Sequence, residues 1–337
     1  MNTVTKGIDD IITNEKVVKR WSNAVEYLPV NLFGSVMGIA GLSLAWKLAS
    51  KVFGTPAIIG EIIGIISAII FITLSILYII KLYRFTDKVS EEFNHPITGN
   101  FFGTITIAFL LLSIVLEPIS KFLSYTLWIG GSLSTITMAY IIVQRLMIRK
   151  QDQMHATPSW LIPGVGTLDV AIAGGSMPFT WGREINLFTF AIGSVLALFF
   201  LTIIFSRLIH FDPMSERLTP TKMILVAPFA VGFLSYTEII GHIDFVASIL
   251  FYFGLFIFII LAGQIFRKRL PFSVAWWAVS FPMAALSNAA LKYADYYGGW
   301  PLKTIAALIL VFLTIVITFI FIKTLVFLYK GKLLKPS

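Results

Sequence analysis

The stretch Pro271–Tyr297 reads PFSVAWWAVSFPMAALSNAALKYADYY. It is long enough to cross a bilayer as a helix, which needs about 20 residues, yet it is not built to face lipid. At about 100° per residue, Trp277, Phe281, Ala284, Asn288 and Lys292 fall on one stripe, with Ser273, Ser280 and Ser287 beside it. Val279, Met283, Leu286 and Ala290 fall opposite. Pro282 removes a backbone donor in mid-span, which kinks a helix and frees a carbonyl. In a membrane such a break survives only against protein or a watery cavity, so the stretch reads as the lining of a path.

Outward from this helix, the composition places the whole chain in a bilayer. Of 337 residues, 57% are hydrophobic and 13% charged, and the mean hydropathy is +0.87. No soluble domain hides that much apolar surface. There are no cysteines, which removes disulfides, thiolate metal sites and a Cys nucleophile. Residues 1–28 mix Lys6, Lys16, Lys19 and Arg20 with Asp9, Asp10, Glu15 and Glu26 and hold no apolar core, so they are no cleavable signal. They read as a cytoplasmic segment; from Ile11 to Leu28 it either lies amphipathically at the interface or forms a partly ordered tail. Residues 29–330 form a single membrane domain, and 331–337 a short cytoplasmic tail.

Apolar runs separated by charged or Pro-marked breaks number ten, at about 29–49, 57–81, 98–117, 121–147, 159–179, 187–208, 222–241, 245–266, 271–296 and 301–329. An even count puts both termini on one side. The tails and the 2–3, 4–5, 6–7 and 8–9 connections hold 19 Lys and Arg, and the opposite side six. By the positive-inside rule both termini are cytoplasmic, in an inner or plasma membrane. Basic loops thereby account for the net charge of +9 without nucleic acid.

A repeat marks the odd spans. A residue–proline pair stands at the start of each: Leu28-Pro29, His95-Pro96, Thr157-Pro158, Thr219-Pro220 and Leu270-Pro271. Pro at the first helical position costs no hydrogen bond. The spacing, 51 to 67 residues, makes the unit a helical hairpin used five times. Counted from these prolines, odd helices hold 20 Gly and Pro and even helices eight. Small residues allow close packing and local unwinding, so the expected fold is all-α: five kinked inner helices around a central axis, five straighter ones outside. Small residues that merely let ten helices pack are the other reading. Pro163, Pro228 and Pro282, inside three inner helices, favour a lined cavity.

Ionisable residues well inside a span mark function by default. Asp169 lies 11 residues beyond Pro158, about 16 Å along the helix and so near the midplane. It reads either as a proton site in a coupled transporter or as a buried carboxyl bonded to a kinked neighbour. Glu61, Glu117, Glu238 and Asp244 lie near outer ends, Lys292 at the external mouth, and Lys323 snorkels. The four histidines form no metal-ligand spacing. There is no Walker loop, dinucleotide fingerprint or nucleophile elbow, so neither enzyme chemistry, a cofactor nor ATP drive is supported.

These residues carry a resemblance. FSVAWWAVSFPMAALSNAALKYA, Phe272–Ala294, closely resembles the ninth transmembrane helix of the plant slow-type anion channels (SLAC1) and their bacterial relatives, the tellurite-resistance/dicarboxylate-transporter (TehA) family. Phe33-Gly34 and Gly38 before Leu42-Ser43-Leu44-Ala45-Trp46 are similar to the family's first helix, and Thr157-Pro158-Ser159-Trp160 with Pro163 to its fifth. The resemblance covers the chain after residue 25. It implies ten helices in five hairpins, a pore in each subunit, and a homotrimer. It also implies that Phe281 occludes the pore and that Gly34 lines it alongside. Asp169 departs from the family pattern.

Candidate pore-lining residues are therefore Gly34, Gly38, Gly103, Pro163, Pro228, Trp277, Pro282 and Asn288, with Phe281 as gate, Lys292 attracting anions and Asp169 as a possible proton site. The functional reading is an anion channel for chloride or nitrate. Alternatives are a proton-coupled carrier of malate-like dicarboxylates, and a tellurite-resistance factor acting through a partner.

Overall fold

In the computed structural model, which describes residues 25–267 and 269–334, there is no strand among the described residues. Ten long helices follow one another: α1 (Val30–Phe53), α2 (Ile58–Arg84), α3 (Thr98–Leu116), α4 (Lys121–Ile148), α5 (Pro158–Trp160 continuing as Leu161–Gly174), α6 (Gly182–His210), α7 (Thr219–Ile240), α8 (Phe245–Phe266), α9 (Val274–Tyr297) and α10 (Trp300–Tyr329). Among the described residues, nine of these are long and apolar enough to cross a membrane. Helix α5, with 3 residues of 3-10 and 14 of α-helix, spans only about 27 Å at 2.0 and 1.5 Å per residue. The predicted fifth span ran on to 179; Gly175 and the loop beyond it end the helix sooner. Most of the predicted N-terminal segment (1–24) and the end of the predicted tail (335–337) lie outside the described residues.

All five odd helices begin as a 3-10 helix before turning α-helical, at Val30–Leu32, Thr98–Phe102, Pro158–Trp160, Thr219–Val226 and Val274–Trp276. These starts gather at one end of the bundle, called here the proline end. Two-thirds or more of the apolar window is buried in α1, α3, α7 and α9, against two-fifths or less in the even helices. Packing explains the difference. Odd helices touch in the closed order α1–α3–α5–α7–α9–α1, and each even helix lies against the odd helix before it. Exposed Ile62, Ile65, Ile69, Ile72 and Ile76 on α2 show what the even helices turn outward, the side chains a lipid tail solvates.

Glycine lets the inner helices meet. A methyl at Gly38 would overlap Ser280, and one at Gly41 would come 2.6 Å from the Ala284 Cβ, so α1 and α9 are in backbone-close contact. Of the three prolines read as mid-helix kinks, only Pro282 lies inside an α-helical run. Pro163 and Pro228 are the third and second residues of their α-segments. There the pattern changes from 3-10 to α, so the missing N–H falls in the changeover turn and not in a regular ladder.

One element was not foreseen. Thr86–Asn94 forms a short helix at the proline end, between α2 and α3. Its Glu92 accepts from the N–H of Val30 at 2.8 Å, from the Tyr78 hydroxyl at 2.8 Å and from Lys81 Nζ at 2.7 Å. The same ammonium donates to the Leu28 carbonyl at 2.8 Å. Glu92 thus satisfies a backbone donor that the start of α1 leaves free. Next to it, His95 Nδ1 accepts from the N–H groups of Ile97 and Thr98, both at 3.2 Å, where α3 begins.

Candidate functional site

The five inner helices point one stripe each at the axis. At the proline half the stripes are Asn31, Gly34 and Met37 of α1; Phe101, Thr104 and Ile107 of α3; Ile162 and Val165 of α5; Ile224 and Ala227 of α7; and Trp277, Ala278, Phe281 and Pro282 of α9. The spacing of three is the helical face repeat. They enclose a narrow cavity of about 30 Å³, room for about two water-sized spheres. Toward the opposite end the same stripes continue, through Gly41, Leu44 and Lys47; Leu111, Ile114 and Glu117; Asp169 and Ile172; Val231, Leu234 and Glu238; and Ala285, Asn288 and Lys292. Here they surround a chamber of about 560 Å³.

Phe281 belongs to the lining of both spaces, the one described residue that does, and is 8% exposed. Its ring therefore stands between the constriction and the chamber. The backbone behind it is anchored and interrupted in turn. Trp277 donates its indole N–H to Thr324 of α10 at 3.0 Å, and the Ser280 hydroxyl donates to the Trp277 carbonyl at 2.7 Å. Pro282 cannot donate to the carbonyl of Ala278 one turn back, and Ala278 faces the constriction. One turn on from Ala284, Asn288 donates both amide hydrogens, to Gly41 O at 3.0 Å and Ala284 O at 2.8 Å. Its oxygen, fixed by those two bonds, has no partner among the described residues.

The chamber carries charge of both signs. Lys292 pairs with Glu238 at 3.0 Å, so the lysine read as the attractor at the mouth has a carboxylate beside it. Lys47 donates to the Val115 carbonyl at 3.1 Å. Asp169 is 1% exposed, and neither carboxyl oxygen has a hydrogen-bond partner among the described residues. Of its two sequence readings, the bond to a kinked neighbour has no counterpart among the described residues.

Gly34, Trp277, Phe281, Pro282, Asn288, Lys292 and Asp169 thus gather on one axis. Gly38, Gly103, Pro163 and Pro228 line neither space. Gly38 packs on Ser280, Gly103 on Ile162 and Pro163, and Pro228 borders an outward crevice with Leu168 and Leu250. Sequence reasoning missed Met37, Ile107, Leu111 and Val231, whose apolar side chains carry no mark of an axis, as well as Lys47, and it placed Glu117 only near the outer end of its span.

Comparison with known proteins bears on this geometry. The family model described as SLAC1, voltage-dependent anion channel, matches residues 27–325. The chain is 29% identical over 313 residues to the S-type anion channel SLAH2 of Arabidopsis thaliana, covering 89% of this chain and 59% of that one. To the guard cell S-type anion channel SLAC1 of the same plant it is 24% identical over 352 residues, 98% of this chain and 62% of the relative. To the tellurite resistance protein TehA homolog of Haemophilus influenzae it is 26% identical over 312 residues, 90% and 92% of the two chains. The chain spans about three-fifths of the length of these two plant relatives.

Proposed function

The chain belongs to the voltage-dependent anion channel (SLAC1) family, and from that membership we propose that it conducts small monovalent anions, chloride and nitrate, along the axis of its five inner helices, with Phe281 as the gate. One observation carries the reading: Phe281 borders both the constriction and the chamber.

The chemistry of the path supports it. An anion must enter without being held, and the constriction is apolar but for Asn31 and Thr104, while the chamber adds Asn288 and charges of both signs, Lys47, Lys51 and Lys292 against Glu117, Asp169, Glu238 and Asp295. A phenyl ring in a constriction this narrow closes it sterically and by dewetting. The break at Pro282 gives the ring a local hinge, while Trp277 and Ser280 hold the turn before it. Gly34 leaves the facing wall bare of side chain. Both termini face the cytoplasm by the basic-loop asymmetry, the membrane is an inner or plasma membrane, and the assembly is the homotrimer that the resemblance implies.

A second reading has its own observation. Asp169, buried on the chamber wall without a partner, suits a proton site in a carrier of malate-like dicarboxylates. Flux through purified protein in liposomes separates the two. A channel passes nitrate down its gradient faster when Phe281 is Ala. A coupled carrier takes up malate uphill when one side is acidified and loses this in Asp169→Asn.

A further inference from the structure

The constriction poses a chemical problem for an anion. Its lining holds three side chains with an N–H or O–H group, Asn31, Thr104 and Trp277. Two of the three are already committed. The Thr104 hydroxyl donates to the Phe101 carbonyl at 2.6 Å, and the Trp277 indole N–H to the Thr324 hydroxyl at 3.0 Å. The Asn31 amide is uncommitted at both ends: among the described residues its oxygen has no donor and its nitrogen no acceptor. The two ends differ in access. The oxygen is shut away from water, whereas the nitrogen is not, so the N–H side is the one that the cavity reaches.

Position gives that donor its use. A methyl on Gly34 would meet the Trp277 Cβ at 3.4 Å, and one on Gly38 would overlap Ser280, so Gly34 is level with Trp277 and Gly38 with the turn of Phe281. Asn31 precedes Gly38 by two helical turns, about 11 Å along the axis at 1.5 Å per residue. It belongs to the 3-10 turn Val30–Leu32 that opens α1. That turn is held in place, since the Val30 N–H donates to Glu92 at 2.8 Å and the Leu32 carbonyl accepts from the Ser35 hydroxyl at 2.6 Å. Asn31 thus stands at the proline-side mouth of the constriction, with Phe281 at the other. A space of about 30 Å³ admits an ion with a water or two at most. An anion that sheds its water there must find other donors or bear the cost of their loss. Along the constriction, the lining side chains offer one uncommitted donor group, the Asn31 amide.

We propose that Asn31 is an anion-coordinating and specificity-determining residue, whose amide N–H groups replace part of the hydration shell as a halide or small oxyanion passes the narrow half of the path. The inference rests on the channel reading above and goes beyond it, because it concerns which anion passes. A neutral donor eases entry without holding the ion as a fixed positive charge would. Chloride holds its water more tightly than nitrate, so chloride gains more from the replacement. Removing the amide should therefore favour nitrate.

The test is current through the full-length protein in planar bilayers, in a Phe281→Ala background so that the gate does not limit it, with nitrate on one side and chloride on the other. Asn31→Leu should lower the current about tenfold, the worth of one hydrogen bond to an ion, and move the reversal potential toward greater nitrate preference. Asn31→Asp, of the same shape but with acceptors in place of the N–H groups, should lose more current still. Asn31→Gln, which keeps the amide, should retain part of the current and shift the reversal potential less than Asn31→Leu. A merely structural role would scale both anions' currents alike and leave the reversal potential in place. Size-exclusion profiles establish folding, and should the Leu variant fail there, the isosteric Asp variant decides. A folded Asn31→Leu protein with the reversal potential of its background, or a folded Asn31→Asp protein with undiminished current, would overturn this inference alone. A Phe281→Ala background that passes neither nitrate nor chloride would overturn the channel reading, and this inference with it.

Discussion

Lys292 of α9 and Glu238 of α7 pair at 3.0 Å on the wall of the wide chamber, each about one-third exposed. The carboxylate offsets the field that the lysine would otherwise present to an arriving anion. Replacing Glu238 by Gln leaves the ammonium free. One added unit of charge about 8 Å from the anion in water is worth about 0.5 kcal/mol, so anion flux should rise about twofold at low salt and return toward wild type near 1 M, where screening reaches about 3 Å. Reconstituted nitrate flux against ionic strength checks this. An unchanged flux at low salt would mean that the mouth field does not reach the permeating ion.

Two glycines of α1 predict opposite phenotypes. A methyl at Gly34 would sit 3.4 Å from the Trp277 Cβ, an ordinary contact, whereas one at Gly38 would overlap Ser280. Gly38→Val should lower Tm and folded yield through overpacking, by about 1–3 kcal/mol. Gly34→Ala should fold normally. Gly34→Asp, with bulk and negative charge in the constriction, should fold and lose most of its anion flux. Size-exclusion profiles with flux assays distinguish the cases, and full flux in Gly34→Asp would place Gly34 off the path.

At the proline end, Glu92 joins Lys81, Tyr78 and the Val30 N–H. Glu92→Gln should destabilise the fold by about 3 kcal/mol or more, because it leaves a buried ammonium without its counter-charge. The double replacement Lys81→Met with Glu92→Leu should recover most of the loss. Thermal melts of the single and double variants decide; a single variant as stable as wild type would remove the pair from the scaffold.

His95 gives a pH dependence. Burial, and secondarily the nearby His155, hold its imidazole below the usual histidine range. The neutral ring is also the form whose Nδ1 can accept from Ile97 and Thr98. With the folded pKa below the unfolded value, the contribution is complete above about pH 6.5 and is lost as pH falls through the folded pKa. His95→Asn should flatten the dependence of Tm on pH between about 7 and 5. A wild-type Tm that does not fall in that window would contradict the assignment.

Much of this was legible in the sequence because hydrophobic length and proline placement are local signals. The five residue–proline pairs stand within a few residues of the five 3-10 starts, and the stripe of α9 declared itself through Trp277, Asn288 and Lys292, which are out of place against lipid. The stripes of α1, α3 and α7 did not. Met37, Leu111 and Val231 would serve equally well in a packed interface, and only the closed ring of helices aims them at the axis. The same ambiguity, reversed, made Gly38 and Gly103 look like lining: a small residue at a helix contact reads like one beside a pore. The helix Thr86–Asn94 escaped notice because its sequence is mostly polar; its hold on α1 comes through one carboxylate, Glu92.

The central claim is that anions pass along the axis and that Phe281 closes it. The direct measurement is nitrate flux through purified wild-type and Phe281→Ala protein in liposomes, with equal insertion confirmed. Lowering the barrier by even ~1.4 kcal/mol raises the rate about tenfold, so the Ala variant should be faster by about that factor or more. A well-inserted Phe281→Ala protein that conducts no faster than wild type would contradict the account.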